Sequence, residues 1–195
     1  MQVALLVAHP DPDSFTHAIA ATAVAALQRG GHDVTLLDLY EEEFRPAMTL
    51  DERLAYHGDR PILDPMVERH ARIIQEAEAL VFVYPTWWST MPAILKSWLE
   101  RVLVPGVGFV FDENQKVRPG LTHVRRLVGI STYGAPKWYV RALHDNGRRT
   151  LMRGLRLNTG KITRRTWLGL YDIDRCPPEG RAEFLRKIEQ RMRSL

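Results

Sequence analysis

Cysteine is nearly absent: Cys176 is the single thiol among 195 residues, so no disulfide framework can staple the monomer. A lone cysteine fits a reducing compartment, and the expected location is cytoplasmic. Long apolar runs are also missing, none approaching the roughly 18 residues a membrane span needs. Met1 to Ala8 is apolar but carries no basic residue and soon meets His9, Pro10 and Asp11, so it reads as a buried strand rather than a signal peptide. Repeats, low-complexity tracts and linkers are lacking, which leaves one globular domain over residues 1–195. A strong charge of one sign is lacking too, since 27 Lys and Arg face 23 Asp and Glu. The excess is local. Nine basic residues and one acid, Asp145, lie between Lys137 and Arg165, which leaves 18 basic and 22 acidic elsewhere. Such a segment can serve a phosphate-bearing ligand, a partner or solubility alone, and nucleic acid is not the expected partner.

Strand and helix signals alternate through the rest of the chain. Val3–Ala8, Leu80–Tyr84 and Leu127–Ile130 are continuous apolar runs of strand length, as parallel strands covered on both faces require. Val34–Leu39 and Trp167–Tyr171 complete five strands. A helix is expected over Phe15–Arg29, behind a Ser14 cap and stopped by Gly30 and Gly31. Met66–Glu78 follows Asp64 and Pro65, and Pro92–Val104 places Ile94, Leu95, Trp98, Leu99, Val102 and Leu103 on one face. Trp138–Arg153 and Arg181–Arg193 supply two more helices, while Glu41–Pro65 reads as a surface loop with a short helix. The alternation predicts a doubly wound α/β domain, a five-stranded parallel sheet in the order 2-1-3-4-5 with helices on both faces.

In such a sheet the ligand lies beyond the carboxyl ends of the strands, where the strand order reverses. Three loops there carry unusual residues. His9-Pro-Asp-Pro-Asp-Ser-Phe-Thr-His17 leads into a helix whose first amides, with Ser14 and Thr16 hydroxyls and the His9 imidazole, suit an anion. A helix cap at Ser14 and an ordinary loop histidine are the plainer alternative. Tyr84-Pro-Thr-Trp-Trp-Ser-Thr-Met-Pro92 sets two adjacent tryptophans beyond a buried strand, and an adjacent pair cannot both face inward. At least one is therefore free to meet a flat ligand. Ser131-Thr-Tyr-Gly-Ala-Pro136 offers hydroxyls, an aromatic ring and a glycine, or else forms a simple turn.

Several rival chemistries fail on spacing. Asp11 and Asp13 open like a calcium loop, but Phe15 and Thr16 stand where another oxygen ligand and the turn glycine belong. Gly106-Val-Gly108 follows a helix and has no third glycine, so it is not a dinucleotide fingerprint. No GxSxG elbow or P-loop occurs, and the histidines have no paired metal spacing, so no metal is expected. An anion site beside two aromatic loops describes a pocket for a phosphate joined to a planar ring, which is the shape of a flavin nucleotide.

The segment Tyr84-Pro-Thr-Trp-Trp-Ser-Thr-Met-Pro-Ala-Ile-Leu-Lys-Ser-Trp-Leu-Glu-Arg-Val102 resembles the one that marks the flavodoxin-like NAD(P)H:quinone oxidoreductases, the DT-diaphorase group and its bacterial relatives. His9 with Ser14, Phe15, Thr16 and Ala18 is similar to that family's flavin phosphate loop. Ser131, Thr132, Tyr133 and Gly134 resemble its loop beside the isoalloxazine. The resemblance implies that Pro85, Thr86, Trp87 and Trp88 line the ring together with that third loop. It also implies a Tyr and a His that steady charge on the reduced flavin. Tyr139 matches the first in spacing and His144 stands one residue away from the second. Tyr133 in place of a glycine and a shorter carboxyl end leave FAD and FMN both open, with FAD ahead.

The implied activity is two-electron hydride transfer from NAD(P)H through bound flavin to a quinone. A homodimer is implied as well, which the tryptophans of residues 87 to 98 suit if exposed. Arg148, Arg149, Arg153 and Arg156 either attract the phosphates of NAD(P)H or form a solvated helix face. A flavin-binding electron carrier and a regulatory module on the same fold are the two alternatives, although carriers of that shape tend to be acidic.

Overall fold

The computed structural model describes all 195 residues. Its first strand, β1 (Gln2–Val7), shows how the layers arise: Val3, Leu5 and Val7 enter one core while Ala4 and Leu6 enter the other. Apolar residues at every position of a strand demand cover on both sides. Helices α1 (Phe15–Arg29) and α7 (Pro178–Arg193) cover the first side, packed together and joined at the rim by Arg29 and Glu189 at 2.8 Å. The second side is covered by α3 (Pro65–Glu76), α4 (Ala93–Val102) and the turns of residues 150–158.

Beside β1 lie β2 (Asp33–Asp38) and β3 (Ala79–Thr86), and the sheet continues through β6 (Arg126–Tyr133) to β7 (Arg164–Leu170). All pairings are parallel and the order is β2-β1-β3-β6-β7. This is the expected 2-1-3-4-5 order, renumbered because a small antiparallel hairpin, β4 (Phe109–Phe111) with β5 (Val117–Pro119), intervenes in the chain. Three-residue strands outside the main core carry too little periodic signal to be seen in advance. Their turn is organised by Asp112, whose Oδ1 accepts from the Asn114 and Lys116 amides at 2.9 Å each.

Two regions depart from expectation. Trp98 is fully buried, its Nε1 donating to His70 Nδ1 at 2.9 Å, so it offers nothing to a partner. The helix expected over Trp138–Arg153 is broken into α5 (Lys137–Ala142) and α6 (Asn146–Arg149), followed by a π turn over Thr150–Gly154. His144 and Asp145 take positive φ of 66° and 46°, which no helix interior allows. The Asp145 side chain then caps α6.

The Glu41–Pro65 stretch does contain a short helix, α2 (Leu50–Ala55), opened by a capping box of Thr49 and Glu52. It is pinned by Arg101, whose buried guanidinium bonds Glu52 and reaches Asp64 Oδ2 at 2.8 Å. Both carboxyls are held below their ordinary values; burial alone pushes them up, and the bonds from Arg101 and nearby backbone amides outweigh it. No helix is long and apolar enough to cross a membrane.

Candidate active site

Because β1, β3 and β6 are parallel, their carboxyl ends at Val7, Thr86 and Tyr133 share one edge of the sheet. The chain turns back across β1 between β2 and β3, so a crevice opens at this edge. The three loops singled out in the sequence all meet there.

On the first loop, His9 Nδ1 accepts from the Asp11 amide at 3.1 Å, and its ring lies 5.7 Å from that of Trp87. Ser14 caps α1: its Oγ accepts from the His17 amide at 3.3 Å. His17 bridges onward, with Nε2 2.8 Å from Asp38 Oδ2. The Phe15 and Thr16 amides occupy the first turn, where no carbonyl of the helix can receive them, so they remain free for an anion. Thr16 is buried and Ala18 exposed beside it. Arg181 lays its guanidinium 5.8 Å from the Phe15 ring, and its Nε is buried without a partner.

The second loop is strained. Trp87 and Thr90 exchange backbone hydrogen bonds of 3.0 Å, and the two residues between them, Trp88 and Ser89, take φ of 48° and 61°. Glycine or asparagine normally fills such a turn, and a non-glycine residue there costs about 1 to 3 kcal/mol. The result is that Trp88 is 100% exposed at the rim of the crevice. Pro85 is buried behind it, and the Thr86 and Ser131 hydroxyls meet at 2.9 Å across the strands.

On the third loop Ser131, Thr132 and Tyr133 are buried and Gly134 is exposed. Tyr133 stacks on Tyr171 at 4.5 Å and 13°, and its hydroxyl lies 3.0 Å from Asp145 Oδ2. Burial, then the adjacent Asp145 charge, pushes the Tyr133 phenol far above its ordinary value, so it stays a donor. Burial also raises Asp145, with the Tyr133 bond acting in the opposite sense.

A pocket of about 260 Å³ opens between the second and third loops. Of the residues named from the sequence, Thr86, Trp88, Tyr133, Gly134 and Tyr139 line it. His9, Ser14, Phe15, Thr16 and Ala18 form a separate group at the start of α1, connected to the pocket side through Trp87. His144 is placed elsewhere: it is exposed and faces a second, basic cleft, so the structure does not bring it together with Tyr139. Five lining residues were not foreseen, namely Ser89, Ala135, Val140, Leu143 and Asp145. Asp145 had a visible signal, since it is the one acid within a basic segment. Ser89 and Ala135 lie within the second and third loops but carry no chemistry that marks them, and Val140 and Leu143 reach the pocket from α5 and its end, where the helix breaks. Three His, Cys, Asp or Glu side chains nowhere come together as a metal site.

A protein-family model described as flavodoxin-like fold matches residues 1–192. NAD(P)H dehydrogenase [quinone] 1 of Cavia porcellus is 26% identical over 218 residues, covering 98% of this chain and 76% of that protein. Among solved structures, an NAD(P)H:quinone oxidoreductase from Methanothermobacter marburgensis superposes with a TM-score of 0.81 at 24% identity, over 100% of this chain and 96% of that one. An FMN-dependent NADH-azoreductase from Bacillus anthracis, in complex with FMN, gives 0.71 at 15% identity over 98% of each chain. At those identities the two structures bear on the fold.

Proposed function

The chain belongs to the flavodoxin-like fold family, and from that premise we propose that it is a flavin-dependent NAD(P)H oxidoreductase that delivers two electrons to a quinone. The observation that carries this reading is the strained Trp88-Ser89 turn facing the buried Tyr133 loop across a pocket, on the same edge of the sheet as the free amides at the start of α1. A strained turn is retained where it does something, and this one holds an indole in open solvent at the mouth of a crevice.

The residues present fit a flavin nucleotide. The Phe15 and Thr16 amides would take a phosphate, while Thr86, Trp88, Tyr133 and Gly134 would receive the ring. When bound, flavin supplies the two-electron redox chemistry that no side chain here possesses. The protein's share is positional and electrostatic. Trp88 and the Tyr133 loop bound the pocket, and Tyr139, half-exposed in the same wall, offers a hydroxyl that can donate toward developing negative charge. Asp145 keeps Tyr133 oriented, so the pocket wall keeps its shape.

FAD is favoured over FMN by the Arg181 guanidinium beside Phe15, because a cation there suits a second phosphate. A homodimer goes with the same reading: Trp88, Trp138 and Leu54 are exposed apolar side chains without cover in the monomer. So does a cytoplasmic location, which a single free thiol also suits.

The purified protein tests the proposal directly. A yellow preparation that bleaches with NADPH and recovers with a quinone supports it, and chromatography of the heat-released cofactor separates FAD from FMN. Bleaching only by an added reductase points instead to an electron carrier. A colourless protein that takes up no flavin refutes the reading.

A further inference from the structure

The basic segment folds into a cleft of about 880 Å³, within the range of roughly 300 to 1,000 Å³ that holds sizeable ligands. Lys137 and Arg141 enter it from α5, Arg148 and Arg149 from α6, Arg153 from the turn that follows and Arg165 from β7. The cations therefore come from four elements and converge only in three dimensions. Of them, only Arg165 makes a side-chain hydrogen bond, to the Met152 carbonyl at 2.9 Å, and none forms an ion pair. Asp145 is the one carboxylate in the wall, and it already receives the Tyr133 hydroxyl and the Arg148 amide. Like charges gathered without counter-charge repel one another, and a bound anion relieves that repulsion.

The floor is aromatic. Arg148 lies 5.8 Å over the Trp167 ring and Lys137 5.9 Å over Tyr171. The cleft also shares Val140 and Asp145 with the 260 Å³ pocket, so the two adjoin.

We propose that this cleft is the subsite for the phosphates of the reduced dinucleotide, and that it selects NADPH over NADH by holding the 2'-phosphate. The inference rests on the chain being an NAD(P)H oxidoreductase. A nicotinamide stacked on a flavin ring held in the small pocket lies at that pocket's mouth, and the rest of the dinucleotide must run along an adjoining groove; the basic cleft is such a groove. A 2'-phosphate adds about 1.5 to 2 negative charges at neutral pH, and planar guanidinium groups bond phosphate oxygens in pairs. Arg149 and Arg153 are exposed and have no other partner, which leaves their forks available.

The test is calorimetric titration of the flavin-loaded protein with adenosine 2',5'-bisphosphate and, in parallel, with AMP. The bisphosphate is expected to bind at least about tenfold more tightly, with affinity that weakens as salt rises. The Arg149→Gln, Arg153→Gln double variant is expected to lose about tenfold in bisphosphate affinity, and its ratio of kcat/KM for NADPH to that for a phosphate-free N-alkyl dihydronicotinamide should fall by a similar factor. Equal binding of the two nucleotides, or wild-type affinity in the double variant, overturns the subsite. If the bisphosphate binds as expected while no nicotinamide bleaches the flavin, the cleft stands only as a site for a 2'-phosphorylated nucleotide, and its role toward NADPH falls with the oxidoreductase reading. If NADH and NADPH bleach it equally and the bisphosphate binds no better than AMP, the subsite falls and the oxidoreductase reading stands.

Discussion

The Tyr133 hydroxyl lies 3.0 Å from Oδ2 and 3.2 Å from Oδ1 of Asp145, and this contact joins the end of β6 to the break between α5 and α6. It forms the boundary between the small pocket and the basic cleft. Removing the hydroxyl in Tyr133→Phe leaves a half-buried carboxylate short of a donor and should cost about 1 kcal/mol, read as a lower urea midpoint at constant m-value. Burial raises the Asp145 pKa, so its share of stability is fully present below the ordinary value and is lost as pH rises through the raised one. Asp145→Asn should accordingly melt higher than the parent at pH 7, with a gap that narrows toward acid. A gap that is constant from pH 3 to pH 7 would show that the carboxyl is not titrating as described.

Tyr139 borders the flavin pocket, whereas His144 borders the cleft. Tyr139→Phe should slow flavin reduction about tenfold or more in stopped flow while cofactor content stays the same; a half-exposed donor contributes less than the hundredfold or greater effect of a buried oxyanion donor. His144→Ala should change that step less. Unaltered reduction in the Tyr139 variant refutes its assignment.

Trp88 makes a clean separation between stability and binding. Being wholly exposed in a strained turn, it can be replaced by Ala with less than about 0.5 kcal/mol lost from the fold. Loss of a stacking face worth about 0.5 to 1.5 kcal/mol should weaken flavin affinity up to about tenfold, measured by fluorescence titration of the apoprotein. Trp88→Gly should even raise the melting temperature by relieving the positive φ.

Arg101 tests the loop that leads to α3. Its side chain is 1% exposed, and Arg101→Met strands Glu52 and Asp64 without their shared cation, at a cost of about 3 to 5 kcal/mol. Those two carboxyls are held below their ordinary values of 4.5 and 3.8, so their contribution is present above that range and is lost as pH falls through the depressed values. The variant should lose that part of the acid limb in a pH series of thermal melts.

Dimer formation is checked by size-exclusion chromatography with light scattering. A mass near twice 22.4 kDa at assay concentration is expected, and Trp138→Glu should shift it toward the monomer. A monomeric parent protein contradicts the proposed assembly.

Much of the fold was legible because buried parallel strands and amphipathic helices write their period into the chain. The runs at Val3–Ala8, Leu80–Tyr84 and Leu127–Ile130 each fall within or against an observed strand, and their order in the sheet follows the rule for doubly wound domains. The β4–β5 hairpin was not legible, since three-residue strands held by the Asp112 turn carry no such period.

The sequence by itself determined which loops flank the crevice, because strand alternation and parallel pairing oblige the first, third and fourth sheet strands to end on one edge. It also determined that one basic stretch exists. Only the tertiary structure decided what that stretch does in space. Left-handed backbone at His144 and Asp145 breaks the helix, turns Tyr139 toward one cavity and His144 toward another, and closes Asp145 onto Tyr133. Like charges do not draw together, so no local rule places Lys137, Arg149, Arg153 and Arg165 around one cleft. Their convergence follows from packing Leu151, Met152 and Leu155 into the core beneath β6 and β7, a contact made across the sheet and not along the chain.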